Sequence, residues 1–508
     1  MNRALKRLSI ATLAMFLLLL INLNYLQGFD TASLANEPGN ARTFLAQNQV
    51  QRGQIVTSDG KIIAESVPLS TAEYENTGIK YQRYYPKATA AEYAPITGYD
   101  SLYGHTPTGQ AGIEYYENSL LSGNDTSLDV RNFIDLITGK QRKGANVTVT
   151  INSRAQDAAY SQLAQSLQGK GQIGAVVALD PSTGKILAMA SYPSYDPNQL
   201  AVLSSTQLNT NDKNLLNQPT DPLLNHAIGS TFPPGSTFKI VTSSAFFNSN
   251  SGNNPNTMVS SPTQATFPDA PGHPLINDLG EACGNGSGQT SLIEAFWLSC
   301  DTTFGKIGVN LGAGVLNSEA QSYGMNSSSL NIPMPVAQSN YVMPPGESLT
   351  ADSAIGQFSD TVTAMQEAMF SAAIANHGTL MKPYLVQQII ASDLSNVSTP
   401  SPAILNQAVS PTVANDVATM MEQVTQNPAG TAAAFSQAAE GVNIAGKTGT
   451  AQNGVNNGKT DDAVFTAFAP YNNPKIAVGV IIQGGGYGAT AAAPIAVQVI
   501  KAYLGIGS

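Results

Sequence analysis

Pro233-Pro234-Gly235-Ser236-Thr237-Phe238-Lys239-Ile240-Val241 is the stretch on which the reading of this chain turns. Two prolines and a glycine break the chain just ahead of an apolar run, which places Ser236 at or near a helix N-terminus. Ser236 and Lys239 are then three residues apart on one helix face. Serine–lysine nucleophilic catalysis requires that placement. A serine hydroxyl is a weak nucleophile until a neighbouring base takes its proton. A lysine can be that base when burial and nearby cations weaken its hold on its own proton. The helix terminus adds partial positive charge where an oxyanion develops. Alone, Ser-x-x-Lys is a weak pattern, which a helix cap followed by a surface lysine explains in most proteins.

Two later segments sharpen it. In Trp297-Leu298-Ser299-Cys300-Asp301-Thr302, Ser299 and Asp301 follow an expected helix that includes Ser291 to Leu298. A hydroxyl beside the nucleophile relays a proton, and a polar side chain two residues on holds Lys239 or a substrate amide; a helix-end cap is the plainer explanation. In Ala445-Gly446-Lys447-Thr448-Gly449-Thr450-Ala451, Lys447 brings charge, Thr448 a hydroxyl and Gly449 close backbone approach by a ligand. An extended edge with a free N–H at Thr450 can pair with an incoming peptide and help form an oxyanion hole. Gly441 to Thr448 also spells the phosphate-loop string, but no clear strand precedes it and no apolar helix follows, so that reading is set aside.

Around these segments the chain reads as an exported, anchored protein. Arg3, Lys6 and Arg7 precede an uncharged stretch from Leu8 to Phe29. A helix over residues 8–26 would be roughly 28 Å long, close to a bilayer core of about 30 Å. The basic flank, with Asp30 beyond, puts residues 1–7 in the cytoplasm and the rest outside. A cleaved signal peptide with Ser33-Leu34-Ala35 as its site is the competing reading, but the apolar run is longer than a typical signal core. At 508 residues more than one domain is expected, and a net charge of −10 argues against a nucleic-acid partner. The two cysteines, Cys283 and Cys300, can bridge in an exported chain, and a staple would help the Gly/Ser/Asn-rich loop holding Cys283. The histidines (His105, His226, His273, His377) are scattered, with none at i, i+4, so no metal is expected.

Residues 27–152 are expected to form a non-catalytic N-terminal domain. It opens with a hairpin, Arg52-Gly53-Gln54-Ile55-Val56, the turn Ser58-Asp59-Gly60-Lys61, then Ile62-Ile63-Ala64. Tyr81 to Tyr103, rich in Tyr, Pro and Gly, reads as irregular. Residues 153–508 form the second domain. Strands are expected at Ala175–Leu179, Ile186–Ala190, Ala463–Phe468 and Ile476–Ile482, and helices at Arg154–Leu167, Ala364–Asn376, Val413–Val424 and Pro494–Leu504. Asn248 to Gln289 reads as loops. The fold class is α/β (α+β), a central antiparallel sheet flanked by helices.

The order Ser-x-x-Lys, Ser-x-Asx, Lys-Thr-Gly is far more specific than any member. With it the chain resembles the penicillin-binding proteins and serine β-lactamases, and in particular the class B (monofunctional) penicillin-binding proteins. Arg52-Gly53-Gln54-Ile55, Gly112-Ile113-Glu114, Ala178-Leu179-Asp180-Pro181-Ser182-Thr183-Gly184, Asn225-His226-Ala227 and Ile374-Ala375-Asn376 share the resemblance. Asn22-Leu23-Asn24-Tyr25 and Asp135-Leu136-Ile137-Thr138-Gly139 are similar to the actinobacterial penicillin-binding protein A group. The resemblance implies a serine β-lactamase/transpeptidase-like domain behind a pedestal or dimerisation-type domain and one transmembrane helix. It implies a peptidoglycan D,D-transpeptidase without cofactor: Ser236 the nucleophile, Lys239 its base, Ser299 a proton shuttle, and Asp301, Lys447, Thr448, Gly449 and Thr450 the substrate-binding set. Implied partners are stem peptides, lipid-linked precursors, β-lactams and a membrane polymerase of the SEDS type, in cell division or cell-shape maintenance.

Two departures stand out. The second motif usually ends in Asn, and here it is Asp301, whose carboxylate beside Lys239 favours the ammonium. Asp461-Asp462-Ala463-Val464-Phe465 lacks the His and Trp that related sequences often carry. A slow β-lactam-binding receptor or division scaffold is therefore the alternative function. A D,D-carboxypeptidase or a β-lactamase fits the large N-terminal region less well.

Overall fold

Apolar stripes of period two and of period 3.6 alternate along the chain, and each finds a partner face in the computed structural model. The structure describes residues 3–28, 49–103, 112–277, 280, 282–328, 330–435, 439, 441–452 and 460–507. Asp30, the Ser33-Leu34-Ala35 stretch and His105 lie outside them.

Helix α1 (Arg3–Gly28) is long and apolar enough to cross a bilayer. The N-terminal region then folds as β1 (Ile55–Val56), β2 (Ile62–Pro68), β3 (Tyr81–Tyr84), helix α2 (Ala90–Thr97), helix α3 (Asp129–Thr138) and β4 (Asn146–Val149). β1 and β2 form the expected hairpin, with Gly60 at φ +89° supplying the left-handed turn position. Tyr81 to Tyr103 is not irregular: it forms β3 and α2. Its aromatics explain the error, because Tyr85, Tyr93 and Tyr99 are each only 1% exposed and build the local core.

Further on come α4 (Ser153–Leu167), β5 (Gly174–Leu179), β6 (Ile186–Tyr192), α5 (Lys239–Ser249), α6 (Leu292–Trp297), α7 (Asp301–Leu311) and α8 (Ala364–Ala375). They are followed by β7 (Val386–Ile390), β8 (Asn396–Ser398), α9 (Pro411–Gln426), β9 (Ala445–Ala451), β10 (Asp462–Ala469), β11 (Ile476–Ile482) and α10 (Ala493–Leu504). The stretch read as loops also holds short strands at Met258–Ser260, Gln264–Ala265 and Leu275–Ile276.

A five-stranded antiparallel sheet runs β9-β10-β11-β5-β6, which leaves β9 at an edge. All twelve residues of α8 are buried, as befits a helix that is apolar almost all round. It lies close against β11 because Gly479 has no side chain: a Cβ there would come within 2.4 Å of the Ala368 nitrogen. A second, six-stranded mixed sheet runs β8-β7-β4-β1-β2-β3. β7 pairs with β4, so the boundary expected near residue 152 is crossed in space.

Two motifs of the N-terminal region find a structural purpose. Glu114 is fully buried between Arg52, with Nε 2.7 Å from Oε2, and Arg83 on β3. Burial alone would push its carboxyl up; the guanidiniums of Arg83 and Arg52 outweigh that and hold it below the usual range.

Candidate active site

The segment expected to carry the nucleophile is a turn before it is a helix. Gly235–Phe238 forms a 3-10 turn, and α5 begins at Lys239, so Ser236 sits one turn ahead of the α-helix and not within it. Gly235 has φ +55°, and a Cβ there would approach the Thr450 carbonyl oxygen to 2.7 Å. A Cβ on Gly449 would likewise meet the Pro234 carbonyl oxygen at 2.9 Å. The turn carrying Ser236 therefore presses directly on edge strand β9. Ser236 is half-buried, whereas Thr237 and Lys239 are fully buried.

Ser299 occupies a special position. At the end of α6, the Cys300 N–H bonds the Ala295 carbonyl (2.9 Å) and the Ser299 N–H bonds the Phe296 carbonyl (3.1 Å). This is the Schellman pattern, whose left-handed position usually holds glycine. Ser299 takes it at φ +62°, a conformation that costs a side-chain-bearing residue about 1 kcal/mol. Its hydroxyl lies 3.2 Å from Lys239 Nζ and 2.8 Å from Lys447 Nζ. One hydroxyl thus joins two buried lysines from segments far apart in sequence.

Each lysine is held further. Lys239 Nζ donates to the Ser299 carbonyl at 2.7 Å and pairs with Asp301 Oδ1 at 2.6 Å, over the ring of Phe304. Lys447 Nζ donates to the Thr448 carbonyl at 3.0 Å and lies over the Phe296 ring. Burial, then the charge of Lys239, pushes the Lys447 ammonium well below the ordinary lysine range, with Asp301 pulling it back up. Cys283 and Cys300 form a disulfide with Cα atoms 6.1 Å apart, fixing the loop to the residue between Ser299 and Asp301.

Sequence reasoning missed the supports. The Thr448 hydroxyl meets that of Thr431 at 2.8 Å, and the Thr431 N–H bonds the Trp297 carbonyl, tying β9 to the end of α6. Glu367, buried on α8, lies 2.9 Å from the Thr237 hydroxyl, which is also 2.8 Å from the Pro234 carbonyl. Burial pushes the Glu367 carboxyl up to about 8, with the Thr237 hydrogen bond opposing. A neutral carboxylic acid donating through Oε1 to Thr237, which donates in turn to Pro234, braces the turn from beneath, while the buried Glu367 Oε2 has no hydrogen-bond partner among the described residues. The signal was present in the sequence: Gln366-Glu367 interrupts a helix that is otherwise almost wholly apolar. Asp462, in the segment without His and Trp, is buried and accepts the Gly484 N–H at 2.7 Å. His226 is also buried, and its ring bonds Ser230 and the Thr220 carbonyl. The phosphate-loop string runs into a strand at Ala445 that continues past Thr448 to Ala451, where a phosphate loop would turn into a helix.

Comparison with known proteins agrees with this geometry. The profile of the penicillin binding protein transpeptidase domain matches residues 174–501, and that of the penicillin binding protein A dimerisation domain matches residues 52–147. The chain is 39% identical to the peptidoglycan D,D-transpeptidase PbpA of Mycolicibacterium smegmatis over 517 aligned positions, covering 100% of both. It is 38% identical to PbpA of Mycobacterium tuberculosis, covering 99% of both. The imipenem acyl-enzyme structure of penicillin-binding protein A from M. tuberculosis superposes with a TM-score of 0.82 at 37% identity, covering 91% of this chain and 100% of that one. With a matching catalytic domain, a matching N-terminal domain and full-length relatives, this chain belongs to the class B penicillin-binding protein transpeptidases.

Proposed function

We propose that this chain is a serine D,D-transpeptidase that cross-links peptidoglycan stem peptides through an ester on Ser236. The observation that carries this reading is the Ser299 hydroxyl hydrogen-bonded to both Lys239 and Lys447. Ser236 Oγ attacks the penultimate D-Ala carbonyl, forming the ester as the terminal D-Ala leaves with its amine protonated. An amine of a neighbouring stem peptide then attacks the ester, making the new amide and returning the proton to Ser236. The backbone N–H groups of Ser236 and Thr450 hold the oxyanion, and Thr448, Gly449 and Thr450 line the strand along which the donor peptide lies. β-Lactams acylate the same hydroxyl.

The charges suggest how Lys239 becomes a base. In the free enzyme Asp301 pairs with Lys239, while burial weakens the hold of Lys447 on its proton. A substrate carboxylate beside Lys447 reverses that effect. Lys447 then takes a proton through Ser299 from Lys239, and the neutral Lys239 amine accepts the proton of Ser236. Substrate binding itself thereby arms the nucleophile. Intact-mass measurement after penicillin treatment tests the ester: the parent gains one penicillin and Ser236→Ala gains none. Exchange of the terminal D-Ala of a stem-peptide analogue for a labelled D-amino acid tests the transfer. An unmodified parent that releases no D-Ala sinks the proposal.

The second reading, a slow β-lactam receptor or division scaffold, rests on the Lys239–Asp301 pair at 2.6 Å. Asp301→Asn separates the two. For a working transpeptidase, the pH of half-maximal acylation falls by about one unit in the variant. Penicillin acylation with no D-Ala exchange in either protein favours the receptor.

In this reading α1 crosses the membrane once with its N-terminus in the cytoplasm, and the catalytic domain works outside on lipid-linked precursors and nascent strands. Residues 52–147 match a dimerisation domain. Glycan polymerisation then falls to a partner such as a SEDS-type membrane polymerase, serving division or shape.

A further inference from the structure

Helix α3 (Asp129–Thr138) is built inside out. Val130, Phe133, Ile134, Leu136 and Ile137 fall within one arc of the helix, and all face solvent, from 52% exposed at Ile134 to 77% at Leu136. The opposite face holds the protein: Asn132 Nδ2 donates to the Gly123 carbonyl at 3.0 Å, and Arg131 Nε pairs with Asp393 at 3.2 Å. A surface helix ordinarily buries its apolar stripe and shows its polar one. Among the described residues nothing covers this stripe.

We propose that α3 lies in the headgroup region of the membrane that holds α1, giving the N-terminal domain a second contact with the lipid surface. Three observations favour lipid over protein. Past Asp129 in the first turn, the exposed arc carries no hydroxyl, amide or charge, whereas protein interfaces include hydrogen-bonding groups along with apolar ones. Two copies pressed together along so short a helix would each bury roughly 400 Å², a total below the ~1,200 Å² of a stable interface. The exposed Lys140 and Lys143 follow the helix directly, in a chain of net charge −10, and suit anionic headgroups. Residues 29–48 connect α1 to the domain, a length that spans at most about 70 Å, so the bilayer surface stays within reach.

The inference rests on α1 being in the membrane, and the test separates the two. The full chain is reconstituted in vesicles of phosphatidylcholine with about one third phosphatidylglycerol. An environment-sensitive fluorophore is placed on Ile134→Cys or, as a control, on Asn472→Cys in the β10–β11 turn. Among the described residues both native cysteines are bridged and will not label. Nitroxide on the lipid acyl chains is expected to quench the Ile134 probe at least about threefold more deeply than the control, as for an interfacial helix. The difference shrinks in Lys140→Gln/Lys143→Gln and disappears in Phe133→Glu/Ile137→Glu, with fluorescent-penicillin labelling of every variant as the check on folding. Equal quenching at the two sites overturns the proposal, as does chain-to-chain crosslinking from a photoreactive residue at Phe133. Release of the whole chain by alkaline carbonate shows that α1 is not integrated, and the docking falls with it. A retained chain with an unquenched Ile134 probe fails the docking alone.

Discussion

Ser299 sets one strained residue between the two buried lysines of the site. The left-handed position it fills is one that glycine would occupy at no steric cost, so a side chain there trades stability for a hydroxyl between two lysines. Ser299→Gly is expected to raise thermal stability by up to about 1 kcal/mol while lowering acylation by two orders of magnitude or more. Calorimetry and penicillin-acylation rates on one preparation check both signs; a less stable variant contradicts the strain. Glu367 makes the complementary case. Its carboxyl is raised to about 8 in the folded protein by burial, against an ordinary value near 4.3 when unfolded. The native state therefore binds the extra proton between those limits. The stability it supports is fully present below about pH 4.5 and is lost as pH rises through about 8. Glu367→Gln removes this contribution, so the melting temperature of the parent should fall relative to the variant by a few degrees between pH 5 and pH 9. Parallel melting curves exclude it.

Between elements, the decisive contact is the turn Gly235–Phe238 against edge strand β9. It is close because Gly235 and Gly449 lack side chains where backbone meets backbone. An edge strand keeps one row of hydrogen-bonding groups unpaired by its own sheet, which a peptide substrate can use. Gly235→Ala forces a Cβ towards the Thr450 carbonyl at a positive φ, and either the turn or the strand must shift. Acylation should drop at least about tenfold while the cost in stability stays near 1–3 kcal/mol. Acylation and unfolding curves measured together decide it, and normal acylation means that the turn can relax without disturbing the site. Such backbone proximity was not legible in the sequence. The motifs were visible as residue types, but glycine's purpose at each depended on a partner more than 200 positions away.

At the scale of the whole molecule, the two halves share a sheet. β7, from the catalytic half, pairs with β4 from the N-terminal half. Removing residues 1–152 leaves β7 with an unpaired edge and exposes apolar positions that Val147 and Val149 now help to cover. The truncated chain is expected to melt several degrees lower than the parent and to aggregate; equal melting temperatures would mean that the halves fold independently.

The sequence by itself determined the periodic elements, the anchor's length, the order of the three motifs and so the family. Those depend on local pattern and residue type, which each segment carries whatever its neighbours do. It misread Tyr81 to Tyr103, because a tyrosine looks the same in a loop as in a core until its surroundings are known. Tertiary structure alone decided that Ser299 stands between Lys239 and Lys447, that Glu367 braces the turn of Ser236, and that α3 turns its apolar face outward. Burial, proximity and proton affinity belong to pairs of groups brought together by folding, and no single stretch of chain contains them.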